Sequence, residues 1–249
     1  MTPVLVLDAG NSRLKWGLYA SPRWQTFGVT PNGEIGTLAL REWQNLARPA
    51  RAVGVNVAGE AVRLRIEALL GRWRIAPEWI GSSAAACGVV NGYAVPGQLG
   101  ADRWASLIAA RRRVAAAGAV PRPAVVVNAG TAVTIDALDA DGRFRGGVIL
   151  PGLDLMLHAL ADKTAALKTA PGRFTAFPTT TADALFSGAV QAVCGAIERL
   201  RRAVQRGDGD VLCLLAGGAA AAIAPHLPDG AEIVPHLVLE GVLALAGAA

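Results

Sequence analysis

The sequence predicts an α/β protein of two domains, each a mixed sheet flanked by helices and both built on one duplicated unit. Three observations carry this. Of the 249 residues, 53% are hydrophobic but only 5% aromatic, so the apolar mass is Ala, Val and Leu, which suits helices packed on sheets. A shift of 120 residues lays Val6-Leu-Asp-Ala-Gly-Asn-Ser-Arg-Leu-Lys-Trp-Gly-Leu18 over Val126-Val-Asn-Ala-Gly-Thr-Ala-Val-Thr-Ile-Asp-Ala-Leu138. In each half hairpins come first and helices alternate afterwards, which mixes antiparallel with parallel pairing.

The elements follow in order. In the first copy a strand runs into Asp8-Ala-Gly-Asn-Ser12, a second strand follows, and Ser21-Pro22 punctuates the return through Trp24 to Val29. Helices are predicted over Glu34–Ala47 and Glu60–Arg72, with a strand at Ala52–Val57 between them. Trp104, Leu107, Ile108 and Val114 share one face of a helix over Asp102–Ala117, which starts at Gly100-Ala-Asp102. Val120-Pro-Arg-Pro123 breaks the chain, so the domains are expected over residues 1–119 and 120–249. In the second copy Asp139-Ala-Asp-Gly142 is a hairpin turn and Phe144–Leu150 a third strand. Asp154–Lys163 and Thr181–Arg206 read as helices, Val211–Ala216 as a buried strand, Gly217-Gly218 as a turn, Glu232–Pro235 as a strand and Glu240–Ala246 as a closing helix.

Composition excludes several classes. The net charge of +5 comes from 21 Arg and only three Lys, and runs such as Arg111-Arg112-Arg113 lack the interleaved aromatics of a nucleic-acid surface. No nucleic-acid partner is expected. Cys87, Cys194 and Cys213 show no metal-ligand spacing and read as reduced thiols. The apolar run at Pro3–Leu7 is too short for a signal peptide, and no stretch is long enough to span a membrane. The expectation is a cytoplasmic protein.

The chemistry lies in the turns. Gly10 lets backbone approach a ligand closely, and successive N–H groups there face an anion. Asn11 and Ser12 add neutral donors and Lys15 a point charge. Asp8 would repel phosphate unless a divalent cation lies between, so it predicts Mg²⁺ held through carboxylate and water. An ordinary hairpin uses the same residue types; a second copy, presenting Gly130 and Thr131, favours a grip on polyphosphate from two sides. The pattern is neither GxGxxG nor GxxxxGK[ST], which argues against dinucleotide-binding and P-loop folds.

Asp8-Ala-Gly-Asn-Ser-Arg-Leu-Lys15, Gly100-Ala-Asp-Arg103, Asn128-Ala-Gly-Thr-Ala132 and Thr181-Ala-Asp-Ala-Leu-Phe-Ser-Gly188 occur in that order. The turns resemble the phosphate hairpins of the acetate/sugar kinase, Hsp70 and actin superfamily. The set together resembles type III pantothenate kinase, the first enzyme of coenzyme A synthesis, over nearly the whole chain.

That resemblance implies ribonuclease-H-like domains with an ATP cleft between them. It gives Asp8, Ala9, Gly10, Asn11, Ser12, Arg13, Leu14 and Lys15 to ATP and its Mg²⁺, along with Gly130 and Thr131. Gly217 and Gly218 would form the adenosine turn, although they also read as a plain strand-to-helix turn. Asp102 becomes the base that deprotonates the acceptor hydroxyl; from residues alone it would simply charge its helix N-terminus. Pantothenate would meet Gly100, Ala101, Asp102 and Arg103, with Tyr93 and Thr181. Otherwise Tyr93 is an ordinary semi-buried aromatic and Thr181 an N-cap. Trp104 is a further pocket-lining candidate, and Asp136 is expected to be an exposed hairpin residue.

The family usually carries Asp at position 128 to hold K⁺ or NH₄⁺. Asn128 keeps an oxygen but loses the charge, so little dependence on monovalent cations is expected. The resemblance also implies a homodimer. Two rival readings are a kinase for another small alcohol or acid, and a non-catalytic accessory protein; a chaperone-like ATPase would need a longer chain.

Overall fold

The computed structural model describes residues 3–116, 122–163, 171–205 and 209–247. The apolar run β1 (Val4–Ala9) is buried along its whole length. It pairs antiparallel with β2 (Arg13–Ala20), which returns as β3 (Arg23–Pro31). On its other side β4 (Arg51–Asn56) and the short β5 (Glu78–Trp79) add in parallel, giving the order β3-β2-β1-β4-β5. Between β4 and β5 lies α1 (Glu60–Leu70). A small hairpin, β6 (Ala85–Ala86) and β7 (Val89–Val90), then leads to α2 (Ala101–Ala116).

The second sheet repeats the plan. β8 (Ala124–Ala129), β9 (Ala132–Leu138) and β10 (Phe144–Pro151) form an antiparallel meander. α3 (Leu153–Lys163) and α4 (Thr181–Val204) follow. β11 (Leu212–Ala216) joins β8 in parallel, and after α5 (Ala220–Ile223) β12 (Glu232–Ile233) joins β11. The order β10-β9-β8-β11-β12 matches the first sheet strand for strand. This is the ribonuclease-H-like arrangement, present twice. α6 (Leu237–Leu245) closes the chain.

Two compact units result: Met1–Arg113 with His236–Ala249, and Val114–Pro235. The sequence reading put the closing helix with the second half; α6 instead belongs to the first unit. Residues 117–121, around the expected boundary, lie outside the described residues.

The period of two in the strands explains the layers. One face of the first sheet buries Leu5, Leu7, Leu14 and Trp16 against α1 and the paired rings of Trp43 and Trp73. The other buries Val4, Val6, Val53 and Val55 against Ala105 of α2 and against Val238, Leu239 and Val242 of α6. Each fully buried aliphatic side chain of this kind contributes about 1.5–3 kcal/mol. In the second unit Val125, Val127, Val133 and Ile135 pack against Val190, Val193 and Ile197 of α4.

Most expected elements are present, with three corrections. Residues 34–47 do not form an α-helix: Asn32–Leu40 is 3₁₀, followed by turns. Gly33 and Gly36 weaken α-propensity there, while Ile35, Leu38 and Trp43 still reach the core. Asp136 is not an exposed hairpin residue but lies fully buried within β9. Trp104 is fully buried rather than lining a pocket. The 139–142 turn is as expected, with Gly142 at φ +86° and the Asp139 carboxylate accepting from the N–H groups of Asp141 and Arg143.

Candidate active site

In the first unit Ala9 pairs with Leu14, so Gly10, Asn11, Ser12 and Arg13 make the bend, closed by Gly10 N–H donating to Arg13 O at 3.1 Å. In the second, Ala129 pairs with Val133 and the bend is one residue shorter, closed by Gly130 N–H to Ala132 O at 3.0 Å. The 120-residue overlay therefore slips by one after the turn. Lys15 faces Asp8 across its ladder, and Thr134, not Ile135, faces Asn128.

Neither turn glycine has a positive φ. A Cβ on Gly130 would meet nothing closer than Ala132 O at 3.7 Å, and one on Gly10 would sit 3.3 Å from Arg13 O. Folding alone does not require a glycine at 130. The missing side chain leaves the backbone of the bend open to close approach.

Both turns are latched from the end of their third strand. Asn32, just after Pro31, donates its backbone N–H to Ser12 O at 3.0 Å. Its side-chain amide donates to Gly10 O and to Asn11 O, each at 2.9 Å. Gly152, just after Pro151, donates its N–H to Thr131 O at 2.9 Å. It packs so closely on Gly130 O and Thr131 O that no Cβ fits.

Asp8 is 5% exposed at the end of β1, with Lys15 Nζ 3.6 Å from Oδ2. Burial pushes its pKa up from 3.8 to about 6; Lys15 opposes the rise and the negative charge of Asp102 adds to it. The two carboxylates therefore lie within electrostatic reach of each other. Asp102 sits in the first turn of α2, its Oδ1 accepting from Arg103 N–H at 2.8 Å. A Cβ on Gly100 would stand 2.7 Å from that oxygen, so the glycine gives the carboxylate its room. Ala101 opens the helix and packs beside the β-sheet core.

Arg103, 5% exposed, donates from Nη1 to the Tyr93 hydroxyl at 3.0 Å and lies over its ring at 5.8 Å. Asn91 positions Tyr93: its Oδ1 accepts from Tyr93 N–H, and its Nδ2 donates to Ser83 O and Pro96 O. Asn91 and Asn32 were missed from the sequence, since each acts through backbone carbonyls that no motif marks.

The first unit thus brings together Asp8, Lys15, Asp102, Arg103 and Tyr93. The remaining candidates belong to the second unit. There Gly217, at φ +98°, packs on Ala129 O so tightly that no Cβ fits, and Ala219 N–H donates to the same oxygen. The Gly217-Gly218 turn is thereby held against the residue preceding Gly130. Thr181 is the first residue of α4, but the cap is Thr180, whose Oγ1 accepts from Asp183 N–H at 3.2 Å. Thr181 lines an apolar groove of about 460 Å³ with Met156, Leu160, Leu185 and Gly188.

Among the described residues no three His, Cys, Asp or Glu side chains form a metal cage. No helix of the described residues is long and apolar enough to cross a membrane.

Comparison with known proteins supplies the family and the fold relationship. A family model described as type III pantothenate kinase matches residues 4–203. A type III pantothenate kinase of Methylibium petroleiphilum is 48% identical, covering 98% of both chains, and one of Leptothrix cholodnii is 45% identical over 97% of this chain and 95% of its own. Among solved structures, a Campylobacter jejuni protein described as a Baf family transcriptional activator superposes with a TM-score of 0.63 at 18% identity, covering 98% of this chain and 97% of that one. A Sinorhizobium meliloti protein described as a 2-dehydro-3-deoxygalactonokinase gives 0.61 at 14% identity over 98% of each. The structural likenesses establish the fold and the sequence relationships the family: the chain belongs to the type III pantothenate kinases.

Proposed function

We propose that the protein transfers the γ-phosphoryl group of ATP to the primary hydroxyl of pantothenate, the first step of coenzyme A synthesis. Family membership supports the reaction, and the buried Asp8 carboxylate, facing Lys15 beside the glycine turn and within electrostatic reach of Asp102, carries the assignment of residues. Phosphoryl transfer asks the protein for positioning and charge neutralisation more than for covalent chemistry.

The turn N–H groups of residues 11 and 12 and the Lys15 ammonium hold phosphate oxygens; Gly130, its own N–H closing the second bend, leaves room for the phosphate, and Thr131 is read as the donor from that turn. Gly217 and Gly218 take the adenosine. Asp102 accepts the hydroxyl proton as the oxygen attacks, a role worth about 10²–10⁴-fold. Gly100 keeps its carboxylate in place, while Arg103 and Tyr93 orient the carboxylate end of pantothenate; Thr181 is assigned to the same substrate.

Asp8 fits a divalent cation: a carboxylate whose charge is disfavoured by burial, and further by the negative charge of Asp102, is relieved by a positive charge beside it. Mg²⁺, when bound, neutralises charge on the phosphate chain. Asn128 offers an amide oxygen without charge, so K⁺ or NH₄⁺ is not required. The protein is read as a homodimer with α2 and α4 as contact surfaces.

ADP release by purified protein, with and without pantothenate, tests the reading. Pantothenate-dependent release, abolished by Asp102→Asn with nucleotide binding retained, is expected. Release that follows a different alcohol or acid would make this another kinase, and no turnover across Mg²⁺ and salt conditions would favour a non-catalytic role.

A further inference from the structure

We infer that Asn32 is a positioning residue for phosphate binding: it turns the carbonyls of the β1–β2 bend toward itself and so aims the bend's N–H groups at the nucleotide. The inference rests on the reading of that bend as a phosphate site.

Three consecutive carbonyls, of Gly10, Asn11 and Ser12, accept hydrogen bonds from this one residue at 2.9–3.0 Å. In a trans peptide the N–H points opposite the carbonyl of the same unit. The Gly10 and Asn11 carbonyls share their planes with the N–H groups of Asn11 and Ser12. Fixing the first pair toward Asn32 therefore directs the second pair the other way, as parallel donors of the kind that cup an anion. Both side-chain donors of Asn32 are spent on this, which fixes the orientation of the amide. Its Oδ1 is buried and, among the described residues, has no hydrogen-bond partner. An unmatched buried acceptor costs free energy; the placement of the two donors outweighs it.

The same position in the second unit points the same way. Gly152 follows Pro151 as Asn32 follows Pro31, and its N–H meets the carbonyl of Thr131. The backbone latch is common to both units, and the first, whose bend is one residue longer, adds the Asn32 side chain to it. Asn32 lies 22 residues from Gly10, directly after the end of β3, so the latch also couples β3 to the bend. Among the described residues its hydrogen bonds reach Gly10, Asn11, Ser12 and Arg65, none of them assigned to pantothenate.

The experiment compares full-length wild-type protein with Asn32→Ala and Asn32→Asp. The readouts are the KM for ATP, the KM for pantothenate, calorimetric binding of ADP with Mg²⁺, and the thermal midpoint. Loss of two side-chain hydrogen bonds is expected to raise the KM for ATP and the Kd for ADP about tenfold, with the KM for pantothenate unchanged. Asn32→Asp, of equal size but with acceptors facing the two carbonyls, is expected to be worse than Asn32→Ala. Lys15→Ala serves as the control for the phosphate site itself.

Weakened ADP binding in Lys15→Ala with none in Asn32→Ala overturns the inference and leaves the phosphate site standing. No change in either overturns both. Equal shifts in the two KM values, or Asn32→Asp binding as well as wild type, assigns Asn32 to general stability and also overturns it. Where Asn32→Ala does not fold, Asn32→Ser, with one donor left, is expected to give about a threefold effect. Failure of both to fold places Asn32 in the fold and not in the site.

Discussion

Asp8→Asn is expected to make the protein more stable at neutral pH while destroying its activity. In wild type the Asp8 pKa stands at about 6 instead of 3.8, chiefly through burial. Its folded-state value is raised, so the native state holds a proton that the unfolded chain has released between those two pH values. Stability falls as pH climbs through that window, and the whole penalty is present above pH 6. The rise corresponds to about 3 kcal/mol, which for a chain of this size is ~6–12 °C in thermal midpoint. Asparagine fills the same space without a charge, and Lys15, 35% exposed, keeps its hydration.

Thermal unfolding of both proteins at pH 4 and pH 7.5, without divalent metal, measures the effect. The variant should gain at pH 7.5 and show almost no gain at pH 4. Mg²⁺ should then raise the wild-type midpoint more than that of the variant. An equal difference at both pH values, or a variant less stable at pH 7.5, would refute the idea that a buried charge is held ready for a cation.

Four other outcomes are expected. Gly130→Ala should fold with its thermal midpoint within ~2 °C of wild type, since its Cβ has space, yet lose ATP affinity severalfold in a titration. Gly100→Ala should lower kcat at least tenfold in the ADP-release assay, because its Cβ displaces the Asp102 carboxylate; unchanged kcat would remove Asp102 from its role. Gly241→Ala, whose Cβ would strike the Ala105 carbonyl where α6 crosses α2, should destabilise by about 1–3 kcal/mol in denaturant unfolding. Replacing Na⁺ by K⁺ at constant ionic strength should change turnover less than twofold if Asn128 holds no essential cation; a strong rise would contradict it.

The hairpins were legible because local rules set them: β-branched runs, Ala-Gly bends and the Asp139 turn act within a few residues. The sequence repeat likewise exposed the duplication that the two sheets display. What was illegible depends on distance along the chain. Asn32 works on Gly10 from just beyond the third strand, Asn91 sets Tyr93 through Ser83 and Pro96, and the buried charge of Asp8 is set by Lys15 of β2 and Asp102 of α2. The one-residue slip between the bends was hidden because the overlay matched letters and not ladder partners, which is how Ile135 stood in for Thr134. The stretch after β3 carried a helical apolar spacing at Ile35 and Leu38, and its glycines tightened the coil to 3₁₀. Thr180 rather than Thr181 caps α4, an offset that side-chain chemistry alone does not distinguish.

The return of residues 236–249 to the first unit has a consequence for synthesis. Val4, Val6, Val53 and Val55 emerge from the ribosome early, yet part of their cover, Val238, Leu239 and Val242, is translated almost last. Until then one side of the earliest sheet stays wet and apolar, a surface that holdase chaperones bind. Maturation of the leading half is thus tied to completion of the trailing one, and truncation shortly before residue 236 should yield aggregates in place of a soluble fragment.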